Sequence, residues 1–308
     1  MGAGRFRIVD VVVSGASGLI GTALRAELHR VGHRVLRLQR GGVTDSDEIG
    51  WDPDAGLIDA PALEGVDAVV HLAGEGIAEK KWTEEQKQRI LQSRERGTSL
   101  LASAIASRER KPRVFVSASG MHYYGNNRGD EVLTEDSAPG DGFLANVVKV
   151  WEGATKPAVD AGIRTVLMRS GIVLSARGGT LQRLLLPFKL GLGGRVGSGK
   201  QWMSWIVLDD EVGAIMHAID NESLRGPANF VAPTPVVNRE FTETLGHVLH
   251  RPTFLPTPLA PLKMVYGSEL VESLLLGSQR VTPARLEASG YRFRCPTLED
   301  GLRAVLGR

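Results

Sequence analysis

The stretch Val11-Val12-Val13-Ser14-Gly15-Ala16-Ser17-Gly18-Leu19-Ile20-Gly21 decides the fold. Before it, Arg7 to Ser14 reads as a buried strand, because Ile8, Val9, Val11, Val12 and Val13 form a near-continuous apolar run. After it, the pattern predicts a helix from about Gly18 to Val31, with Gly32 placed to end it. The glycine spacing alone is weak: with 37 glycines in 308 residues, chance supplies about half a match per chain. Its setting, a valine-rich strand that turns into a helix, selects a dinucleotide-binding turn. Gly15 permits the tight turn, Gly18 lets main chain approach a pyrophosphate, and Gly21 allows close helix–sheet packing. The helix start offers free amides and a positive dipole end to phosphates. Candidate cofactor-binding residues are therefore Gly15, Ser17, Gly18, Leu19, Ile20 and Gly21. The alternative is a turn that needs glycine for geometry only.

Working outward, apolar runs alternate with helical patterns, which predicts an α/β fold with a doubly wound parallel sheet. Further strands are expected at Val35 to Leu38, Ala68 to Leu72, Arg113 to Ser117, Thr165 to Met168, Ser204 to Leu208 and Asn229 to Val231. Thr83-Glu84-Glu85-Gln86 matches a capping box, opening a helix to about Ser107 that buries Ile90, Leu91, Leu100 and Leu101. Phe143 to Ala161 reads as one helix, and Asp209 as the cap of another that ends near Asp220. From Pro233 onward prolines crowd the chain, and helical segments rather than paired strands are expected. The predicted organisation is a dinucleotide-binding core, residues 1–175 plus 202–233, and a smaller C-terminal substrate lobe, residues 176–201 plus 234–308.

Composition narrows the function classes. The formal net charge of +2, from 37 basic and 35 acidic side chains, argues against a nucleic-acid or acidic-membrane binder, which carries a basic excess. The single cysteine, Cys295, forms no internal disulfide and builds no cysteine-rich metal site. Met1 to Asp10 lacks the apolar core of a signal peptide, and no apolar run reaches the roughly 20 residues of a membrane span. A cytoplasmic protein with a small-molecule substrate, and neither nucleic acid nor membrane as partner, is expected. The seven histidines show no metal-ligand spacing, so no metal is expected. There is no Gly-x-Ser-x-Gly nucleophile elbow, which disfavours a hydrolase.

The end of the second strand reads the ribose 2′ position of a dinucleotide, about 20 residues past the glycine turn. An acid there favours NAD. Here the strand ends Leu38-Gln39-Arg40, with Arg37 nearby and no acid until Asp45. A guanidinium pairs bidentately with a 2′-phosphate, so Arg40 points to NADP(H). A solvated arginine is the alternative.

With the glycine turn, His71-Leu72-Ala73-Gly74, the Ser117-Ala118-Ser119 and Tyr123-Tyr124-Gly125 segments, and Asp209-Asp210 in order, the chain resembles the extended short-chain dehydrogenase/reductases. Trp151-Glu152, Arg169-Ser170-Gly171-Ile172-Val173-Leu174 and the run from Gly191 to Trp205 resemble an atypical branch, that of epimerase-family or nucleoside-diphosphate-sugar epimerase proteins. The C-terminal Arg251-Pro252, Leu275-Leu276 and Gln279-Arg280-Val281 extend the likeness over nearly the whole chain. The resemblance implies a Rossmann-type fold and a role as oxidoreductase or epimerase. It implies that Leu72, Ala73 and Gly74 border the adenine-side ribose and phosphate. Ser117 to Ser119 and the segment Arg169, Gly171 and Ile172 then lie near the nicotinamide.

The family's usual acid/base is Tyr-x-x-x-Lys on a helix, where the lysine lowers the phenol pKa and the spacing puts both on one face. Lys149 is present, but Ala145 stands four residues before it; alignment on Trp151-Glu152 puts Leu144 and Val148 at the pair instead. Neither register supplies it. Substitutes lie among Ser119, His122, Tyr123 and Tyr124, so the candidate catalytic residues are Ser119, Tyr124 and Lys149. Absence of the pair also admits a non-catalytic NADP(H)-binding regulator.

On the substrate side, the Gly194 to Trp205 segment offers backbone amides, Arg195 and Lys200 to an anion. Trp202 or Trp205 is placed to cover a base or sugar face. Lys200, Trp202 and Trp205 are the candidate substrate residues, for a small polar substrate with nucleotide-linked sugars among the options. Packing of the tryptophans between the lobes is the competing reading. Arg251 and Arg280 are weaker candidates.

Overall fold

The computed structural model describes residues 9–308. The expected strand from Arg7 therefore begins outside the described residues, and so does most of the Met1 to Asp10 segment. The main sheet comprises β1 (Asp10–Ser14), β2 (Arg34–Gln39), β3 (Glu48–Asp52), β4 (Leu57–Ile58), β5 (Ala68–His71), β6 (Val114–Gly120), β8 (Arg164–Ser170) and β12 (Gly226–Phe230). Strands outside that sheet are β7 (Asn127–Leu133), β9 (Ile172–Leu174), β10 (Trp202–Met203), β11 (Trp205–Val207), β13 (Val236–Val237) and β14 (Ser278–Val281). The helices are α1 (Leu19–Arg30), α2 (Glu84–Ala106), α3 (Phe143–Gly153), α4 (Lys156–Asp160), α5 (Gly179–Lys189) and α6 (Leu208–Asp220). In the C-terminal part they are α7 (Asn238–Leu249), α8 (Leu259–Tyr266), α9 (Ser268–Leu274), α10 (Ala284–Ala288) and α11 (Leu298–Leu306).

The sheet order is β12-β8-β6-β5-β1-β2-β3-β4. Every neighbouring pair is parallel except β3–β4. β1 lies between β2 and β5, so chain progression reverses there. That switch point leaves a crevice outside the strand ends, where open α/β sheets take their ligands. Val11 and Val13 face one side with Leu24, Val212 and Ile215. Val12 and Val69 face the other with Leu101 and Ile105. Burial on both faces explains the unbroken valine runs. A separate apolar cluster joins Leu174, Phe188, Trp205, Phe241, Leu245 and Leu302 in the C-terminal part.

Four local expectations change. The single helix over Phe143 to Ala161 breaks into α3 and α4: Thr155 Oγ1 donates to the Glu152 carbonyl at 2.7 Å, and Pro157 in the first turn of α4 has no amide to continue the ladder. Asp209 does not cap α6; Val207 stands at that position without a side-chain bond. Thr83 accepts from the Gln86 amide at 3.1 Å, but Gln86 Nε2 donates to Glu75 Oε1 instead of closing the capping box. Beyond Pro233, β13 pairs antiparallel with β10 and β14 parallel with β7. No described helix is long and apolar enough to cross a membrane.

Candidate functional site

The first crossover is built for close approach. Gly15 has φ +65°, and a Cβ there would stand 2.8 Å from the Leu72 carbonyl carbon at the tip of β5. A Cβ on Gly21 would stand 2.2 Å from the Gly15 carbonyl oxygen. The start of α1 has no side-chain cap and no acid in its first turn. Its amides and dipole therefore face the crevice uncompensated. Ser17, Gly18, Leu19 and Thr22 line a cavity of about 400 Å³ together with Arg177 and Gly178. The glycine turn thus stands beside Leu72, Ala73 and Gly74, as a dinucleotide cradle requires. Arg177, from the loop that enters α5, was not singled out in the sequence, where nothing marks an exposed arginine.

Ser14 fixes the two loops to each other. Its Oγ accepts from the Leu72 and Ala73 amides at 3.0 and 3.2 Å and lies 2.6 Å from His71 Nδ1. His71 Nε2 lies 3.0 Å from Thr98 Oγ1 on α2. Burial, with the Arg94 charge adding to it, pushes the His71 pKa down to about 4.

At the end of β2, Arg37 is engaged by Glu48 at 3.0 Å and Asp45 at 3.2 Å. Arg40 is exposed and makes no ion pair or hydrogen bond among the described residues.

The nicotinamide-side expectations change more. Arg169 is 3% exposed; its Nε and Nη2 form a bidentate pair with Glu152 at 2.8 and 2.9 Å. Ser119 Oγ donates to the same carboxylate at 2.6 Å. Arg169 Nη1 donates to the Tyr124 hydroxyl at 3.1 Å, which donates to Asn229 Oδ1 at 2.7 Å. Ser119 and Tyr124 therefore belong to one network, spent on each other's neighbours. Tyr124 is fully buried, and burial raises its pKa despite Arg169. Its hydroxyl is thus committed to Arg169 and Asn229, where the sequence predicts an open acid/base. The Arg169 guanidinium is likewise committed to Glu152 and Tyr124. Ser117 is fully buried and donates to the Ala118 carbonyl. A Cβ on Gly171 would stand 2.5 Å from the Ser204 carbonyl oxygen, so this glycine serves the close pairing of β9 with β11, where Ile172 aligns with Trp205. Lys149 is exposed, with Nζ 3.4 Å from the Gly140 carbonyl, and stands outside the network. In the same segment, the Tyr123 hydroxyl and the His122 ring have no hydrogen-bond partner among the described residues. The Arg169 guanidinium sits 3.4 Å from the Tyr123 ring centroid. Burial holds His122 at about 4.

Of the substrate candidates, Trp205 is fully buried; its Nε1 donates to the Thr234 carbonyl at 3.0 Å, so it packs the C-terminal core and covers no ligand. Trp202 is half-buried, donates to Asp130 at 2.8 Å and lies under Arg280 at 4.4 Å. Lys200 is exposed. Among the described residues no group of three or more His, Cys, Asp or Glu side chains is placed to hold a metal.

The glycine cradle sits within a wider likeness. Residues 11–232 match the model of the NAD dependent epimerase/dehydratase family, and residues 257–305 match a domain of unknown function, DUF1731. Epimerase family protein Mb2239 of Mycobacterium bovis is 43% identical over 292 residues, covering 95% of this chain and 96% of its own. The crystal structure of human epimerase family protein SDR39U1 (isoform 2) with NADPH superposes with a TM-score of 0.88 at 37% identity, covering 97% of this chain and 99% of that one. UDP-glucose 4-epimerase of Thermotoga maritima, solved with UDP-glucose, shares the fold at a TM-score of 0.73 and 16% identity, covering 97% of each chain. A family model matched over residues 11–232 and a relative 43% identical over 95% of this chain leave one assignment: this chain belongs to the NAD dependent epimerase/dehydratase family.

Proposed function

We propose that the chain binds NADP(H) across its glycine turn and acts in the cytoplasm as an oxidoreductase or epimerase on a small polar substrate, with nucleotide-linked sugars the first class to test. The observation that carries the cofactor choice is Arg40, free at the end of β2 while Arg37 is held by Glu48 and Asp45. A free guanidinium suits a 2′-phosphate, and no acid is free there to take a ribose hydroxyl. The NADPH in the human relative agrees with this choice. When bound, the dinucleotide supplies or accepts a hydride.

The chain's own residues hold and orient it. The amides of Leu19, Ile20 and Gly21 face the pyrophosphate, and Leu72 to Gly74 form a wall fixed by Ser14. Proton exchange falls to Tyr123 or His122, whose polar atoms are unspent, rather than to Ser119 or Tyr124. The substrate then lies toward residues 176–201 plus 234–308, with Lys200 and Trp202 on that side. Titration with NADPH and NADH, followed by a turnover screen of carbonyl compounds and sugar nucleotides, tests the reading. Preference for NADH sinks the cofactor choice, and tight NADPH binding without any turnover sinks the enzyme.

The satisfied Ser119–Glu152–Arg169–Tyr124 network and the apolar Leu144 and Val148 favour one second reading, an NADP(H)-binding regulator without catalysis. Such a protein binds a partner differently in its apo and loaded forms; equal binding in both removes it.

A further inference from the structure

Arg94 is a buried charge without a carboxylate. It lies on the inner face of α2, one turn from both Ile90 and Thr98, and is 9% exposed. Nη1 donates to the carbonyls of Glu75 and Ile90 at 2.9 and 3.1 Å. It makes no ion pair among the described residues. Glu75, the acid that acts on it, is already engaged by Gln86 at 3.1 Å and Lys80 at 3.9 Å. Burial accordingly pulls the guanidinium pKa down to about 10, with Glu75 pulling it partly back. The two carbonyls solvate the cation without neutralising it, so its charge is left for an anionic or hydroxyl partner that the described residues do not supply.

Its surroundings say where that partner sits. A Cβ on Gly74 would stand 3.3 Å from the guanidinium carbon, which puts Arg94 against the loop that borders the glycine turn. On its other side the guanidinium lies 4.8 Å from the Trp151 ring centroid. Trp151 Nε1 is itself buried and has no acceptor. Trp151 follows Val148 by three residues on α3, hence on the same helical face. In the alignment on Trp151-Glu152, that is the face with valine where the family resemblance implies a lysine. A guanidinium with no carboxylate and an indole N–H with no acceptor, from neighbouring helices, thus meet beside the cradle.

We infer that Arg94, reaching across from α2 toward α3, is the cationic binding residue for the ribose hydroxyls at the nicotinamide end of the dinucleotide. The inference rests on the NADP(H) reading and deepens it. It is tested by titrating wild type, Arg94→Met and Arg94→Lys with NADPH and with 2′,5′-ADP, which carries the adenosine and 2′-phosphate but no nicotinamide ribose. Loss of a hydrogen bond from a charged group predicts that Arg94→Met weakens NADPH about 10-fold or more, with 2′,5′-ADP affinity unchanged. Arg94→Lys falls between wild type and Arg94→Met. The 2′,5′-ADP titration also reports folding, and if Arg94→Met does not fold, the lysine variant carries the same comparison. Equal loss for both ligands, or no loss for NADPH, reduces Arg94 to a strut for the Glu75 loop and overturns the inference. Failure of wild type to take up either ligand overturns the dinucleotide reading itself.

Discussion

Ser14 Oγ lies 2.6 Å from His71 Nδ1, and both residues are fully buried. The hydroxyl oxygen already accepts from the amides of Leu72 and Ala73, so its proton goes to His71 Nδ1. The imidazole is then neutral with its proton on Nε2, where Thr98 Oγ1 accepts it. One serine ties the end of β1 to the loop after β5, and one histidine ties both to α2. The cradle is held from behind by a network that works only while His71 is uncharged.

That condition gives a pH dependence. Burial holds His71 at about 4 in the fold, against 6.5 as its ordinary value. Its contribution is complete above about pH 6.5 and is lost as pH falls toward 4, by about 2 kcal/mol between pH 7 and pH 5. Thermal melts of wild type and His71→Asn over this range measure it. The variant is less stable at pH 7 and loses less on acidification. His122, also at about 4, keeps some acid sensitivity in the variant. Equal pH slopes in the two proteins contradict a neutral His71.

Arg40→Ala separates the dinucleotides. A charge-assisted bidentate contact to a 2′-phosphate predicts a loss of about 10-fold or more in NADPH affinity, with NADH affinity nearly unchanged. Arg37→Ala, which breaks the ties to Glu48 and Asp45, lacks that selectivity. Comparable losses of both dinucleotides in Arg40→Ala remove the 2′-phosphate assignment.

The sheet and its first crossover were legible because their signals are local. A strand buried on both faces must be apolar throughout, and Gly15 and Gly21 stand where main chain from Leu72 or from Gly15 itself leaves no space for a Cβ. The exposed, unpaired position of Arg40 at the end of β2 was legible for a similar reason, with no acid next to it in sequence. The rest depended on partners distant in sequence. Nothing near Arg169 announces that Glu152 will neutralise it, nor near Tyr124 that Asn229 will take its hydroxyl proton. Trp205 looked like a ligand cover because a tryptophan beside a glycine loop serves binding and packing alike; burial under α11 decided for packing, where a Cβ on Gly301 would stand 2.9 Å from its ring. Arg94 did carry a readable signal, a lone charge in the Ile90, Thr98 and Leu101 stripe of a helix. β7 and β14 lie far apart in the chain, and their pairing was invisible without the fold.

Tyr123 and Tyr124 are adjacent, yet they part on substitution. Tyr124→Phe leaves Asn229 Oδ1 and Arg169 Nη1 without the hydroxyl between them and costs about 1–3 kcal/mol. Tyr123→Phe removes a hydroxyl with no partner and leaves the melting temperature unchanged, while lowering any NADPH-dependent turnover about 100-fold, the low end for a lost general acid/base. Denaturant unfolding of both variants and the turnover screen are the measurements. Unaltered turnover in Tyr123→Phe moves the proton role to His122.

Glu211 sets the opposite limit at alkaline pH. It is fully buried on α6, accepts from Ser170 Oγ at 2.6 Å through Oε1, and leaves Oε2 without a partner. Burial raises its pKa to about 8, against the Ser170 bond, which lowers it. A folded pKa above the ordinary 4.5 means that stability is fully present below about pH 4.5 and is lost as pH rises to 8, on the order of 3 kcal/mol between pH 5 and pH 8. Glu211→Gln keeps the acceptor for Ser170 and removes the titration. Its advantage over wild type in thermal melts therefore grows from pH 5 to pH 8 and levels off above. A difference between the two proteins that stays constant over that range shows that the carboxyl is already ionised in the fold and that water or a cation satisfies Oε2.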